Sequence, residues 1–179
     1  VKESSLEIPV FTSFVLDNNG TENEGFGEMV SISNNQILIG RKDATSWDER
    51  KAYYFESSED AKSIQSEKIV EPVDNRSLSY YFGTGKYNDG VNLDIDSNIA
   101  TIPAILAYKA LPDGGYDGDT HGAGAVFLFD LSSGTPSQIQ RVAASDGSEK
   151  DYFGNAIDLD GDLLVIGAHN DDPGGVNDS

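Results

Sequence analysis

The chain has 179 residues, of which 31 are Asp or Glu and 12 are Lys or Arg, so its formal net charge is −19 at pH 7. This charge argues against nucleic acids and anionic membrane surfaces as partners, because binding to either requires Lys and Arg. Hydrophobic residues at 37% support a folded domain, the absence of Cys excludes disulfides and thiolate chemistry, and no apolar run approaches the ~18 residues of a membrane span.

Short strands joined by polar turns are predicted along the first half of the chain. Residues 8–16 form an apolar run, and an acidic loop over residues 17–25 leads to a hairpin over residues 28–40. A third strand is predicted over residues 52–55 and a fourth over residues 66–73. No window has the 3.6-residue periodicity of a helix, so this part of the chain is expected to be all β.

The same order of elements follows in the second half. A hairpin pattern covers residues 90–104, a third strand is predicted over residues 125–129, and a fourth over residues 137–143. Near the end, alternating apolar and polar residues lead to the pair Asp160-Gly161, and an apolar strand follows. An Asp-Gly pair between two apolar runs favours a tight hairpin turn with positive φ.

Three copies of this hairpin pattern align when they are set by Gly27, Gly90 and Gly154, which are 63 and 64 residues apart (90 minus 27, and 154 minus 90). A near-constant period of this size indicates a repeat architecture. A Phe-Gly pair opens each copy, and in the second copy residues 84–89 are predicted to be an insertion after that pair. Four sets of strand positions coincide: Val30, Leu93 and Ile157; Ile32, Ile95 and Leu159; Leu38, Thr101 and Val165; Ile39, Ile102 and Ile166.

These features together resemble the FG-GAP repeat, which is known from integrin alpha-chain propellers and from many bacterial and algal surface proteins. They are the Phe-Gly pair, an alternating strand, the Asp-Gly turn, an apolar strand, Gly-Ala and an acidic loop. The third copy matches best, since it has Gly167-Ala168 where the second has Pro103-Ala104 and the first has Gly40-Arg41. The resemblance covers residues 25–179.

The resemblance implies an all-β fold, namely a partial β-propeller of four-stranded antiparallel blades in one segment over residues 1–179. The repeats are expected at residues 26–73, 82–143 and 153–179, the last one incomplete. Propellers typically have 4 to 8 blades, so this number of repeats cannot close a ring. We therefore expect further blades or a protein partner to complete the ring, or self-assembly of the chain.

Acidic loops are the main candidates for a metal site. Alternating carboxylates on a Gly-rich loop can converge on Ca²⁺, which takes six to eight oxygen ligands, although a solvated acidic surface is the alternative interpretation. Integrin-type copies hold Ca²⁺ in a longer loop between strands one and two, whereas here that connection is a short turn. The candidate ligands are Asp113, Asp117 and Asp119 in one loop, and Asp171, Asp172 and Asp178 in the next.

Carboxylates also occupy the polar positions of the alternating strands. Asp94, Asp96, Asp158 and Asp160 are expected to face water or a central channel, because the apolar residues between them are expected to face the core.

Two further kinds of surface residue are candidates for ligand contacts. Three N-x-S/T sequons begin at Asn19, Asn75 and Asn177, all in turn-like stretches where a glycan has room. Their number is close to what composition yields by chance, so they indicate glycosylation only if the protein is a secreted eukaryotic one. Trp47 lies in a polar loop, where it either contacts a sugar or protein ligand or folds back over its own sheet.

The sequence contains no catalytic motif that points to an enzyme. Gly-x-Ser-x-Gly, a P-loop, His-Glu-x-x-His and a Cys/His zinc cluster are all missing. We predict a non-catalytic extracellular binding or structural module, acting at the cell surface in adhesion or in assembly of a surface structure or filament. The alternative is the propeller portion of a secreted hydrolase with an acidic metal-dependent site, which carboxylates gathered in a deep pocket would favour.

Overall fold

The computed structural model describes residues 26–41, 51–58, 64, 67–73, 82–83, 92–113 and 115–172. These residues form ten strands and no helix, which confirms the all-β prediction. The strand predicted over residues 8–16 lies outside the described residues. In chain order the strands are β1 (Phe26–Ser33), β2 (Gln36–Arg41), β3 (Ala52–Glu56), β4 (Lys68–Val70), β5 (Asp94–Asp96), β6 (Ile99–Ala104), β7 (Ala125–Asp130), β8 (Ser137–Val142), β9 (Ala156–Asp160) and β10 (Leu163–Gly167).

The strands form two four-stranded sheets and one two-stranded sheet. The first sheet has the order β1-β2-β3-β4, the second β5-β6-β7-β8, and β9 pairs with β10 alone. Every pairing is antiparallel between consecutive strands, as expected where short connections join neighbours. The predicted four-stranded antiparallel unit is therefore confirmed for the first two copies, and none of the sheets closes into a barrel.

The first two strands of each copy form equivalent hairpins with two-residue turns. The first central residue of each turn has a positive φ, which is 55° at Asn34, 49° at Ser97 and 58° at Gly161. The third turn is thus centred on Gly161-Asp162, one residue later than predicted. The reason is that Gly takes the positive-φ position at low cost, so Asp160 remains the last residue of β9. The closing pairs are Ser33 with Gln36, Asp96 with Ile99 and Asp160 with Leu163.

One hydrophobic core joins the first two sheets. Tyr54 of β3 is fully buried in it and shares it with Ile95 of β5. Phe82 of the second Phe-Gly pair is also fully buried, and its ring lies edge-to-face with Phe127 (centroids 5.4 Å apart) and Phe129 (5.8 Å). Such pairs contribute about 0.5–1.5 kcal/mol beyond burial of area, so this Phe fixes the start of the second copy.

The Phe-Gly pairs of the second and third copies occupy equivalent places. The N–H of Gly83 donates to the carbonyl of Pro103 (2.8 Å), and the N–H of Gly154 donates to the carbonyl of Gly167 (2.9 Å), the residue aligned with Pro103. From this glycine to the first aligned strand position the chain takes 3 residues in the third copy (157 minus 154) and 10 in the second (93 minus 83). The second copy thus has seven more residues here than the third (10 minus 3), and the predicted insertion at residues 84–89 lies outside the described residues.

Candidate functional site

The first strands of the three copies, β1, β5 and β9, lie side by side without backbone pairing between them. Polar side chains of the second copy bridge the gaps on both sides. They come from alternate positions at the start of β5 and within it, and alternation points them to the same side of the strand. These residues are Asn92, Asp94 and Asp96, and we call the set the carboxylate ladder after its two Asp residues, with the Asn92 amide as its first rung.

Asp94 connects all three copies through one carboxylate. Its Oδ1 accepts hydrogen bonds from the hydroxyl of Ser31 on β1 (2.9 Å) and from the N–H of Ile95 (2.8 Å). Its Oδ2 accepts the N–H of Leu159 on β9 (2.9 Å). Hydrogen bonds to a charged acceptor contribute about 1.5–3 kcal/mol net, so this side chain holds two neighbouring strands in register.

Asp96 repeats the arrangement one rung further along the strand. Its Oδ1 accepts the Ser33 hydroxyl (3.2 Å), and its Oδ2 accepts the N–H of Gly161 (2.8 Å) and the Ser97 hydroxyl (3.0 Å). The N–H of Gly161, followed by the Ser97 hydroxyl, lowers the pKa of Asp96 below its usual value because each donor stabilises the ionised form.

Asn92 binds β9 with both ends of its amide. Its Nδ2 donates to the carbonyl of Ile157 (2.7 Å), and its Oδ1 accepts the N–H of the same residue (3.0 Å). The side-chain amide therefore takes the place that a neighbouring strand's peptide group would take in a sheet. Together the three rungs fix β9 against β5 at a constant offset of 65 residues.

A second polar contact joins the first sheet to the turn of the second copy. Gln36 donates to the Tyr54 hydroxyl (3.1 Å) and to Oδ1 of Asn98 (2.9 Å), and Tyr54 donates to Glu56 (2.8 Å). Burial, followed by the hydrogen bond to Glu56, raises the pKa of Tyr54 to about 12. The first two copies are thus joined through the buried side chain of Gln36 as well as through apolar residues.

Asp94 and Asp96 are partly exposed, as expected for residues that face water or a channel, but both carboxylates also accept hydrogen bonds from the neighbouring copies, which was not expected. The equivalent Asp158 and Asp160 of the third copy are exposed, as expected. Period-two alternation identifies a polar face, but it does not reveal whether water or another strand meets that face.

Two of the predicted calcium ligands, Asp113 and Asp117, accept hydrogen bonds within their own loop. Oδ1 of Asp113 accepts the N–H of Gly115 (2.9 Å), and Oδ1 of Asp117 accepts the N–H of Asp119 (3.1 Å), so both cap turns of their own loop. Within the described ranges, no group of three or more His, Cys, Asp or Glu side chains is placed to hold a metal ion.

Asp151 is a carboxylate in a buried position. It is only 5% exposed, and its Oδ2 accepts the N–H of Ser148 (2.6 Å). Burial, with the nearby charges of Asp171, Asp172 and Asp146, raises the pKa of Asp151. The predicted ligands Asp171 and Asp172 therefore lie in the electrostatic surroundings of a third carboxylate, which the sequence did not single out.

A small pocket of about 120 Å³ lies beside this region. Lys109 and Arg141 contribute its charged groups, and no carboxylate lines it. Arg141 donates from Nη2 to the carbonyl of Tyr108 (3.1 Å) and lies 5.9 Å from the ring centroid of Phe127. This pocket is therefore not the deep acidic cleft that would favour a hydrolase.

The remaining predicted contact residues lie outside the part of the chain that the structure describes. They are the calcium candidate Asp178, the sequon residues Asn19, Asn75 and Asn177, and Trp47.

Comparison with known proteins finds a family match for the C-terminal part of the chain. No curated protein and no solved structure matches the chain. Along the described ranges, no helix is long and apolar enough to span a membrane. Residues 136–179, which include β8, β9 and β10, match the family model of the FG-GAP repeat, so this part of the chain is consistent with an FG-GAP repeat.

Proposed function

We propose that the chain is a segment of an extracellular FG-GAP-type β-propeller that acts as a non-catalytic binding or structural module. The observation that carries this proposal is the match of residues 136–179 to the FG-GAP repeat, which suggests an extracellular adhesion-type module. The finer role is adhesion, or assembly of a surface structure such as a filament. Further blades or a protein partner complete the ring.

The use of polar side chains supports a structural or binding role. Asp94 and Asp96 accept hydrogen bonds from both neighbouring copies, and the core that joins the first two sheets makes a rigid support. Rigid supports commonly carry binding loops. The loop over residues 105–124 exposes Leu111 (40%) and Tyr116 (45%) close in sequence to Asp117. Exposed apolar groups among carboxylates suit a protein partner with a basic surface.

Attachment of coated beads tests the binding role. Beads carrying the chain should attach to intact cells of the source organism more than beads carrying an unrelated acidic protein. A variant in which Asp113, Asp117 and Asp119 are each changed to Asn should attach more weakly, because it removes the charge that attracts a basic partner. The matched control changes Glu67, Glu71 and Glu149 to Gln, which removes the same charge from exposed sites elsewhere. Equal attachment of all beads would contradict the binding role.

Labelling of intact cells tests the extracellular location. An antibody raised against the chain should stain cells without permeabilisation, and protease added outside should remove the signal. Staining that needs permeabilised cells would contradict the location. Because this readout does not depend on a partner, it can fail or succeed independently of the bead assay.

Ca²⁺ bound by the acidic loops is part of the proposal, motivated by the density of carboxylates on Gly-rich backbone. Titration calorimetry of the protein with Ca²⁺ should detect binding that is weaker in Asp117→Asn or in Asp172→Asn. Asp119→Asn tests whether a neighbouring carboxylate of the first loop contributes. Unchanged affinity in both Asp117→Asn and Asp172→Asn would exclude these loops.

A secreted hydrolase is the second candidate, and Asp151 is the observation that favours it. Buried carboxylates with a raised pKa are common among general acids. A panel of ester, glycoside and phosphodiester substrates, assayed with added divalent cations, provides the test. Turnover that is lost in Asp151→Asn but kept in Asp158→Asn would favour the hydrolase over the binding module.

A further inference from the structure

The first strand of the first copy exposes apolar side chains whose counterparts in the second copy are buried against the first sheet. Val30 and Ile32 of β1 are each 65% exposed. The aligned residues of the second copy, Leu93 and Ile95, are 2% and 3% exposed because they pack into the core shared with the first sheet. The β1 face, defined by Val30 and Ile32, is therefore built like a surface that packs against a preceding copy.

The second strand of the third copy exposes apolar side chains whose counterparts in the first copy are buried against the second copy. Leu163 and Val165 of β10 are 65% and 57% exposed, whereas Gln36 and Leu38, which align with them in the first copy, are 6% and 0% exposed. In the first copy it is the second copy that provides this cover: Leu38 lies in the shared core, and Gln36 bonds to Asn98. The β9–β10 face, defined by Asp158, Asp160, Leu163 and Val165, is thus built to receive a following copy.

The carboxylate ladder continues onto this uncovered face. Asp94 and Asp96 accept backbone N–H groups of the copy that follows, at Leu159 and Gly161. Their equivalents Asp158 and Asp160 are exposed. The residues of the first copy that align with Leu159 and Gly161 are Ile32 and Asn34. The N–H of Ile32 points away from β2, just as the N–H of Leu159 points away from β10.

We propose that the β9–β10 face binds the β1 face of a second copy of this chain, head to tail. Asp158 accepts the N–H of Ile32, Asp160 accepts the N–H of Asn34, and Val30 packs against Val165. The inference deepens the assembly role proposed above and rests on it. A second copy is the occupant because one molecule carries both faces, and their pairing continues the interface already formed between its own copies.

A head-to-tail contact of this kind joins two different surfaces, so each molecule can bind one neighbour at either end. Association therefore extends to chains or rings and does not stop at symmetric dimers. The two molecules also repel each other through their charge of −19 each, so added salt strengthens the contact by screening.

Two variants block the two faces separately. The first changes Asp158 and Asp160 to Lys, which cannot accept a hydrogen bond. The second changes Val30 and Ile32 to Asp, which places charge in the apolar contact. All four side chains are exposed in the single molecule, so the fold should survive. The matched controls also change two residues each: Glu67 and Glu71 to Lys, and Ile69 and Ile139 to Asp. All four side chains are exposed and lie on or beside β4 and β8, at the opposite ends of their sheets from β1 and β5.

Sedimentation velocity of the 19.2 kDa chain between about 1 and about 100 µM, the range of ordinary weak interfaces, measures the association. The wild type and both controls should grow in mass with concentration and with salt. Each face variant alone should stay at 19.2 kDa. For the variant that changes Asp158 and Asp160, this corresponds to a loss of affinity of roughly tenfold or more per carboxylate. An equimolar mixture of the two variants should form a two-molecule species that grows no further, because only one intact face of each remains.

Wild-type protein that stays monomeric over the whole range and at high salt would overturn the inference and assign the faces to a different polypeptide. Association that persists in either face variant, or a mixture that fails to form the two-molecule species, would also overturn it. The bead assay above reports on attachment to cells and not on self-association. A failure of the adhesion role and a failure of this inference are therefore distinguishable.

Discussion

Replacing Asp94 with Asn tests whether the carboxylate ladder holds the copies together. Asp94 accepts hydrogen bonds from the Ser31 hydroxyl and from the N–H groups of Ile95 and Leu159, with distances of 2.8–2.9 Å. The shape is kept in Asn, but only one oxygen remains, and its NH₂ group then faces the N–H of Leu159. One charge-assisted bond is lost and the other two lose their charged acceptor. For a partly buried group we expect a loss of about 2 kcal/mol in the free energy of unfolding.

Urea unfolding measures this loss. With an m value of about 2 kcal/mol/M, the midpoint should fall by about 1 M. The protein is kept dilute, so that association between molecules does not contribute to stability.

The matched control is Asp158→Asn, which changes the aligned residue in the third copy. Because Asp158 is exposed, its replacement should alter the free energy of unfolding by less than about 0.5 kcal/mol. If Asp94→Asn unfolds at the wild-type midpoint, or if Asp158→Asn loses as much, the carboxylate ladder does not stabilise the fold as argued.

Three further changes address other parts of the chain. Hydrogen bonding lowers the pKa of Asp96 in the folded protein, so the ionised carboxylate contributes to the free energy of unfolding above the ordinary pKa of 3.8, and this contribution is lost as pH falls below that value. In Asp96→Asn, the free energy of unfolding should therefore depend less on pH in this acid range. Asp151 has a raised pKa, so its ionisation costs stability as pH rises; Asp151→Asn should be more stable than wild type at pH 7 and no longer so at pH 3.5. Gly124→Ala places a Cβ against the backbone of Phe153 at φ +87°, and should lower the thermal midpoint by several degrees, where Gly118→Ala, with open space around it, should not.

The hairpins could be predicted from sequence because their determinants are local. Alternation between Ala156 and Asp160 and the adjacent Gly161 define two strands and a turn within a dozen residues. The error of one residue in the third turn has the same origin. An Asp-Gly pair occupies the turn, but either Asp or Gly can be its first central residue, and the pairing of Asp160 with Leu163 decides which.

The carboxylate ladder could not be predicted because its partners are 63 to 65 residues apart in sequence. Whether Asp94 meets water or a strand depends on how two sheets are placed, and this placement comes from burial of residues such as Phe82 and Leu93. The repeat period carries part of the information, since an offset of 63 or 64 places each first strand beside the next. It does not tell which polar side chain reaches across.

The two gaps between the first strands are bridged differently because the residues at equivalent positions differ in length. Where β5 offers Asp94, the carboxylate spans the gap and reaches the backbone N–H of Leu159. In β1 the equivalent residue is Ser31, whose side chain is too short to reach a backbone N–H of the next strand. The other oxygen of Asp94 therefore accepts the N–H of Ile95 and a hydrogen bond from the Ser31 hydroxyl. One carboxylate thus compensates for the shorter residue of the copy before it, and the third copy carries Asp158 at this position. A surface that continues the longer type of bridge is therefore already present at the β9–β10 face.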